Sequence, residues 1–191
     1  MNTHRPEHSN PYAAPTTPVE QPAQVHWTFC GLQAFVAKPD RYYKVFITDQ
    51  GLYAGWLGGQ FYNKMSVRYQ LSPLYITIVG ALIVEPLAMW IDSRRRQLEN
   101  RYDALIAEPA NFLAADRRNT FIPRAAIETI SVSNRRSSWM AWMNRGILKV
   151  ARNDGEPAVE WMIGATRLLD EVVSELAAAG YPIQRETPGE A

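Results

Sequence analysis

Two stretches of this sequence combine positive charge with apolar surface. Arg94, Arg95 and Arg96 follow the run YITIVGALIVEPLAMWID, residues 75–92, after the single residue Ser93. In NRRSSWMAWMNR, residues 134–145, Arg135, Arg136 and Arg145 flank Trp139, Met140, Trp142 and Met143. Guanidinium groups pair with phosphate and carboxylate through two parallel hydrogen bonds, and tryptophan favours the boundary between water and bilayer. A basic cluster beside an apolar helix attracts an anionic surface and offers apolar area to insert. Arg94, Arg95, Arg96, Arg135, Arg136, Trp139, Trp142 and Arg145 are therefore the candidate contacts for an anionic membrane surface or an acidic protein partner. The bland alternative for the second stretch is that its Trp-Met pairs pack against neighbouring helices.

Residues for bond-making chemistry are sparse. His4 and His8 lie near the N-terminus and His26 follows soon after, and there is no CxxC or HExxH spacing. Cys30 is the single cysteine, which excludes a disulfide within the chain. Gly55, Gly58 and Gly59 of GWLGG follow a strand-like run, not the strand-to-helix turn that cradles phosphate. Asp170 and Glu171 sit at a predicted helix start, where the helix dipole accounts for them. The expectation is a chain that is not an enzyme, with no catalytic residues, no cofactor and no metal.

Charge is unremarkable in total and uneven in distribution. The formal net charge of +1 gives no bulk electrostatic case for nucleic acid. Residues 93–152 hold twelve basic and five acidic residues, a balance of +7, whereas 153–191 hold two and eight, a balance of −6. Such polarity suits a self-complementary contact, or two solvated faces that offset each other. A length of 191 residues, 47% hydrophobic and 20% charged, suits one globular domain with an appendage.

The elements that must position these residues are partly legible. Prolines at 6, 11, 15, 18 and 22 predict a disordered leader over 1–24, and its opening MNTHRPEHSNPY lacks the apolar stretch expected of a secretory signal peptide. HWTFCGLQAFV predicts a first strand or a short packed segment. Tyr42 to Thr48 and Leu52 to Leu57, joined by Asp49-Gln50-Gly51, predict a β-hairpin. Ile130 and Val132 alternate with polar residues in a third strand region. GILKVAR and AVEWMI flank Asn153-Asp154-Gly155, a second hairpin, with Val159, Trp161 and Ile163 on one face. The stripe Leu169, Val172, Val173 and Leu176, closed by Gly180 and Pro182 and preceded by Thr166 as N-cap, predicts an amphipathic helix.

An antiparallel sheet followed by one amphipathic helix resembles the pleckstrin-homology-like (PH-like) superfold, in particular bacterial PH-like domains. The residues that carry the resemblance are YKVFITDQGLYAG, NTFIPRAAIETISV, GILKVARNDGEPAVEWMI and the closing helix, over roughly 27–61 and 119–183. It implies an α+β fold in which a curved antiparallel sheet, or partly open barrel, is capped by the C-terminal helix. Residues 25–183 then form one domain, 62–118 are a helical insertion in the form of a hairpin or a bent helix, and 184–191 are a flexible tail. PH-like relatives bind phosphoinositides or peptides through loops, and no matching headgroup motif is found here.

The insertion contains the apolar run, with Pro86 expected to bend it and Leu87, Trp90, Ile91, Leu98, Tyr102 and Leu105 expected on one packed face. Crossing a bilayer takes about 20 apolar residues. Leu71 to Ile91 reaches that length, but it contains Glu85. A single span there would also put the two halves of one sheet on opposite sides of the membrane. Burial, insertion into one leaflet and, if the two halves do not share one sheet, true spanning are all left open. The expected protein is cytoplasmic, and on the second alternative it is peripheral on the inner face of the membrane. Its expected role is that of a non-catalytic module at an anionic membrane surface. The alternative is a protein-interaction or homo-oligomeric assembly module whose apolar insertion is the interface.

Overall fold

The computed structural model describes residues 22–33, 40–59, 64–75, 77–133, 146–163 and 166–185. Most of the expected leader and the whole of the Trp/Arg stretch, with Arg135, Arg136, Trp139, Trp142 and Arg145, lie outside the described residues.

The predicted hairpin is formed by β2 (Arg41–Thr48) and β3 (Gly51–Gly58), paired antiparallel with Ile47 opposite Leu52. Its turn depends on Gly51, whose φ is +154°. The Thr48 hydroxyl donates to the Gly51 carbonyl at 2.7 Å and accepts from the Gly51 amide at 3.1 Å. A methyl group on Gly51 would fall 2.1 Å from the Ile122 carbonyl oxygen. Besides the backbone conformation, the turn therefore requires the close approach of the neighbouring strand β4 (Thr120–Pro123), which pairs with β3.

The remaining strands are β1 (Val25–Gln33), β5 (Ile127–Ser133), β6 (Gly146–Arg152), β7 (Val159–Ile163) and β8 (Ile183–Arg185). The spatial order is β4-β3-β2-β1-β7-β6-β5-β8. The fold is α+β, with a mixed, partly open eight-stranded sheet. β1 joins its halves, because Leu32 is registered with Tyr42 of β2 and with Met162 of β7. Gly31 lets the strands meet there, since a side chain would come within 2.8 Å of Trp161 Cβ.

One core lies on the inner face. Phe29, Tyr43, Val45, Leu52, Ile122, Ile130, Leu148, Val150, Trp161 and Ile163 are buried together with Leu169, Val172, Val173 and Leu176 of α5 (Thr166–Ala178). The predicted helix stripe is thus the face that covers the sheet. Helix α5 ends in a Schellman turn: Tyr181 N–H donates to the Leu176 carbonyl at 3.0 Å and Gly180 N–H to the Ala177 carbonyl at 2.9 Å. Gly180 supplies the left-handed residue at φ +75°.

That turn produces two departures from the expected sheet. It directs the chain back along β5, where β8 pairs in parallel with Ile183 beside Ile130, so the sheet is mixed rather than wholly antiparallel. Gln184 and Arg185, expected in a flexible tail, belong to this strand. At the other end Ala23, expected in the leader, is buried, and the Gln24 amide donates to Asp49 Oδ1 at 2.9 Å.

A second core occupies the outer face of the hairpin. Phe46, Tyr53 and Leu57 point away from α5 and pack with Tyr102, Ile106 and Phe112. The last three come from the insertion, which comprises α1 (Lys64–Gln70), α2 (Ser72–Tyr75), α3 (Ile78–Leu105) and α4 (Pro109–Ala114). At 28 residues, α3 is about 42 Å long. The helix continues through Pro86 instead of ending there. Pro86 falls on the exposed side, where solvent can satisfy the Leu82 carbonyl that loses its amide donor. The hairpin is unequal, with short α1 and α2 folded against the first half of α3.

Gly51→Ala is expected to lower stability by about 2–3 kcal/mol, because both the backbone conformation and the approach of Ile122 are lost. Urea denaturation checks this. A midpoint unchanged from the parent would contradict it.

Candidate functional site

Helix α3 is the element that carries the first group of arginines, and its rotation about its own axis decides which of them faces out. Its start is set by Thr77, whose Oγ1 accepts from the Gly80 amide at 3.0 Å and donates to the Leu74 carbonyl at 3.0 Å. Gly80 is required at this point, since a Cβ would lie 1.7 Å from the Leu74 carbonyl oxygen. Val84 and Ala88 then face Val67 of α1 in a small cluster, with Leu71 and Ile91 at its border. Among the described residues, none of the sheet belongs to this cluster, so α1, α2 and the first half of α3 form an arm with its own packing.

The second half of α3 is fastened to the outer face of the sheet. The Tyr102 ring lies on Gly55, where a Cβ would come 2.9 Å from the ring. Its hydroxyl donates to Asn119 Oδ1 at 3.0 Å. The same oxygen accepts from the Trp56 amide at 2.9 Å, while Asn119 Nδ2 donates to the Phe112 carbonyl at 2.6 Å. Asn119 thus ties β3, α3 and α4 together. Lys44 pairs with Asp103 at 2.6 Å across the same contact. Beside it, Arg118 is held by Asp116 at 2.9 Å and lies over the Trp56 ring, 3.2 Å from its centre. The Arg118 hydrogen bond keeps the Asp116 carboxyl below its ordinary value despite partial burial.

With this rotation, the three consecutive arginines have different roles. Arg95 turns inward, bonded to Asp92 at 3.3 Å and to Glu99 at 3.1 Å, so the pairing of its charge is internal. Burial works against the Arg95 charge, but Glu99, Tyr42 and Asp92 together hold its pKa above the usual value. Arg96 bonds Asp92 at 2.9 Å yet remains 71% exposed. Arg94 is exposed, with its guanidinium 5.6 Å from the centre of the Trp90 ring. Arg101, which the sequence did not single out, is exposed two turns further on.

The face expected to be packed is also rotated. Val84, Ala88, Ile91, Leu98 and Tyr102 turn inward, whereas Trp90 and Leu87, expected with them, point out. Leu82, Ile83, Met89 and Trp90 are 71%, 64%, 59% and 57% exposed, and Leu74 on α2 is 57% exposed. The outward side of α3 is therefore apolar from Leu82 to Trp90 and basic from Arg94 to Arg101. It changes character along the axis rather than around it. Residues 82, 83, 86, 89, 90, 94, 97 and 101 follow helical spacing. That signal was in the sequence, but Val84, Ala88, Ile91 and Arg95 make an equally regular stripe. Val67 and the hairpin decide between the two.

Glu85, which weighed against an apolar setting, has a partner that its position in sequence did not reveal. Arg68 of α1 donates to it from Nε at 2.9 Å and from Nη2 at 2.6 Å, a two-point ion pair. Among the described residues, no helix is long and apolar enough to cross a membrane.

Comparison with protein-family models and with curated proteins finds no match.

Two measurements test the fastening of α3. Asn119→Ala, which leaves the Trp56 amide and the Tyr102 hydroxyl short of an acceptor, is expected to cost about 2 kcal/mol in chemical denaturation. An unchanged midpoint would deny Asn119 this linking role. Cys30 lies under α3 with its thiol 3.9 Å from Glu99, and burial together with that carboxylate pushes its pKa up to about 11. Alkylation of the native protein at pH 8 is expected to be about a hundredfold slower than in denaturant. Equal rates would mean that the helix does not shield the thiol.

Proposed function

We propose that this chain is a non-catalytic PH-like module that associates peripherally with an anionic membrane surface through the outward side of α3. The observation that carries this reading is the sequence of exposed side chains along one helix: Leu82, Ile83, Met89 and Trp90, then Arg94, Arg96 and Arg101. Apolar side chains contribute on leaving water, and each arginine near an anionic surface contributes of order 1 kcal/mol. Trp90 under Arg94 stands at the change from one to the other, where an indole is favoured at a bilayer boundary.

Support for the PH-like part comes from the strand order, in which β1 pairs with both β2 and β7, and from the position of α5 over the inner face. The helical insertion between β3 and β4 is the departure from that pattern.

The competing occupant of the exposed face is a second copy. Charge placement disfavours simple two-fold pairings. In a parallel pair, Arg94 would face Arg94. In an antiparallel pair centred on Pro86, Arg94 would face position 78, at the positive end of the other copy's helix. A surface of phosphates meets neither obstacle.

The test is co-sedimentation with vesicles of phosphatidylcholine alone and of phosphatidylcholine with phosphatidylserine. Binding is expected only to the anionic vesicles and is expected to be lost in Arg94→Glu with Arg96→Glu. Arg95→Glu should lower the melting temperature, since that side chain is paired inside the fold. Binding that ignores lipid charge, or that survives the double substitution, would sink the proposal. Absence of binding together with a dimer by light scattering would favour the second-copy reading instead.

A further inference from the structure

The apolar part of the outward side of α3 contains one residue that a covalent step can make polar. Leu82, Pro86 and Met89 lie in one row along the helix, and Ile83, Leu87 and Trp90 in the row beside it. Of these, Met89 alone carries a thioether. Its side chain is 59% exposed and belongs to none of the three buried clusters among the described residues. The helix holds it there, because α3 is fastened to the sheet through Tyr102 and Asp103 and packed on α1 through Val84 and Ala88. The other sulfurs among the described side chains are more sheltered. Met162 is half-buried on β7, and burial keeps the Cys30 thiol protonated at neutral pH.

We propose that Met89 is a redox modification site through which peroxide releases the protein from the membrane. This rests on the membrane reading above and adds to it a means of regulation. The sulfur lone pair attacks a peroxide oxygen. An S–O bond forms, the O–O bond breaks, and the displaced oxygen leaves as water. The sulfur loses two electrons and the peroxide gains them, so no further reactant enters. The sulfoxide is polar and accepts hydrogen bonds, and it stands between Ile83 and Arg94 on a surface whose contribution depends on leaving water. Burial of a methionine side chain favours partitioning by about tenfold or more, and oxidation removes that contribution. The exposed arginines keep their charge, so a weaker, charge-dependent attraction persists. Bound protein, with this face out of water, is in turn shielded from the oxidant.

The full chain is treated with hydrogen peroxide until peptide mass analysis shows one added oxygen at Met89, then sedimented with phosphatidylcholine/phosphatidylserine vesicles. The apparent dissociation constant is expected to rise at least about tenfold, with the melting temperature unchanged. The chain holds six methionines, so Met89→Leu isolates the effect: this variant is expected to bind like the parent and to ignore peroxide. Reduction by methionine sulfoxide reductases with a dithiol, which removes the oxygen as water, is expected to restore binding. Anionic vesicles present during the treatment are expected to slow oxidation of Met89 several-fold relative to phosphatidylcholine vesicles. Unchanged binding with Met89 fully oxidised, or an equal loss of binding in peroxide-treated Met89→Leu, would overturn the inference and leave the membrane reading standing. So would a melting temperature that falls together with binding, or a Met89 that oxidises as fast in vesicle-bound protein as in free protein. Parent protein that fails to sediment before any treatment would overturn both.

Discussion

The β2–β3 hairpin is apolar on both faces, and the arrangement of the other elements answers that constraint. Tyr43, Val45, Leu52 and Ala54 point one way, and Phe46, Tyr53 and Leu57 the other. Helix α5 covers the first set. The second set would present aromatic surface to water unless another element lay over it, and each large side chain left exposed forgoes about 2 kcal/mol of burial. The second half of α3, with α4, is that element. Tyr102 on Gly55 and the hydrogen bonds of Asn119 fix where it sits.

Once α3 is held by its second half, the orientation of its first half follows. A single continuous helix transmits rotation along its whole length, so placing Tyr102 against the sheet also turns Val84 and Ala88 inward and Leu82, Met89 and Trp90 outward. The same helix therefore serves as a cover for the sheet and as the stem of an arm. Arg95 belongs to the first role, buffered by Asp92 and Glu99. Arg94, Arg96 and Arg101 are available for the second. In the proposed membrane association, the exposed apolar length and the arginines beyond it act in sequence along one axis.

Much of the sheet could be read from local pattern. Asp49-Gln50-Gly51 and Asn153-Asp154-Gly155 mark the turns, and both glycines take positive φ. The stripe Leu169, Val172, Val173 and Leu176 is the buried face of α5. These features depend on neighbours within a few residues, so the sequence displays them directly. The direction of β8 was not legible, because it depends on how the Schellman turn at Gly180 aims the chain. The rotation of α3 was not legible either, since two apolar stripes of equal regularity run along it. One clue was present: the nearly unbroken apolar run from Leu52 to Leu57, without polar alternation, is the mark of a strand buried on both sides. It called for a second cover over the hairpin.

The sequence by itself determined that the chain carries an apolar helix followed by arginines, set between the strands of a sheet closed by an amphipathic helix. Composition, periodicity and turn residues are local properties and need no fold to be expressed. Only the tertiary structure decided that Arg95 turns inward while Arg94 and Arg96 turn out, and that Glu85 meets Arg68 across the arm. The physical reason is that consecutive residues on a helix point about 100° apart. Which direction is inward is then set by partners far away in sequence, Gly55 on the hairpin and Val67 on α1.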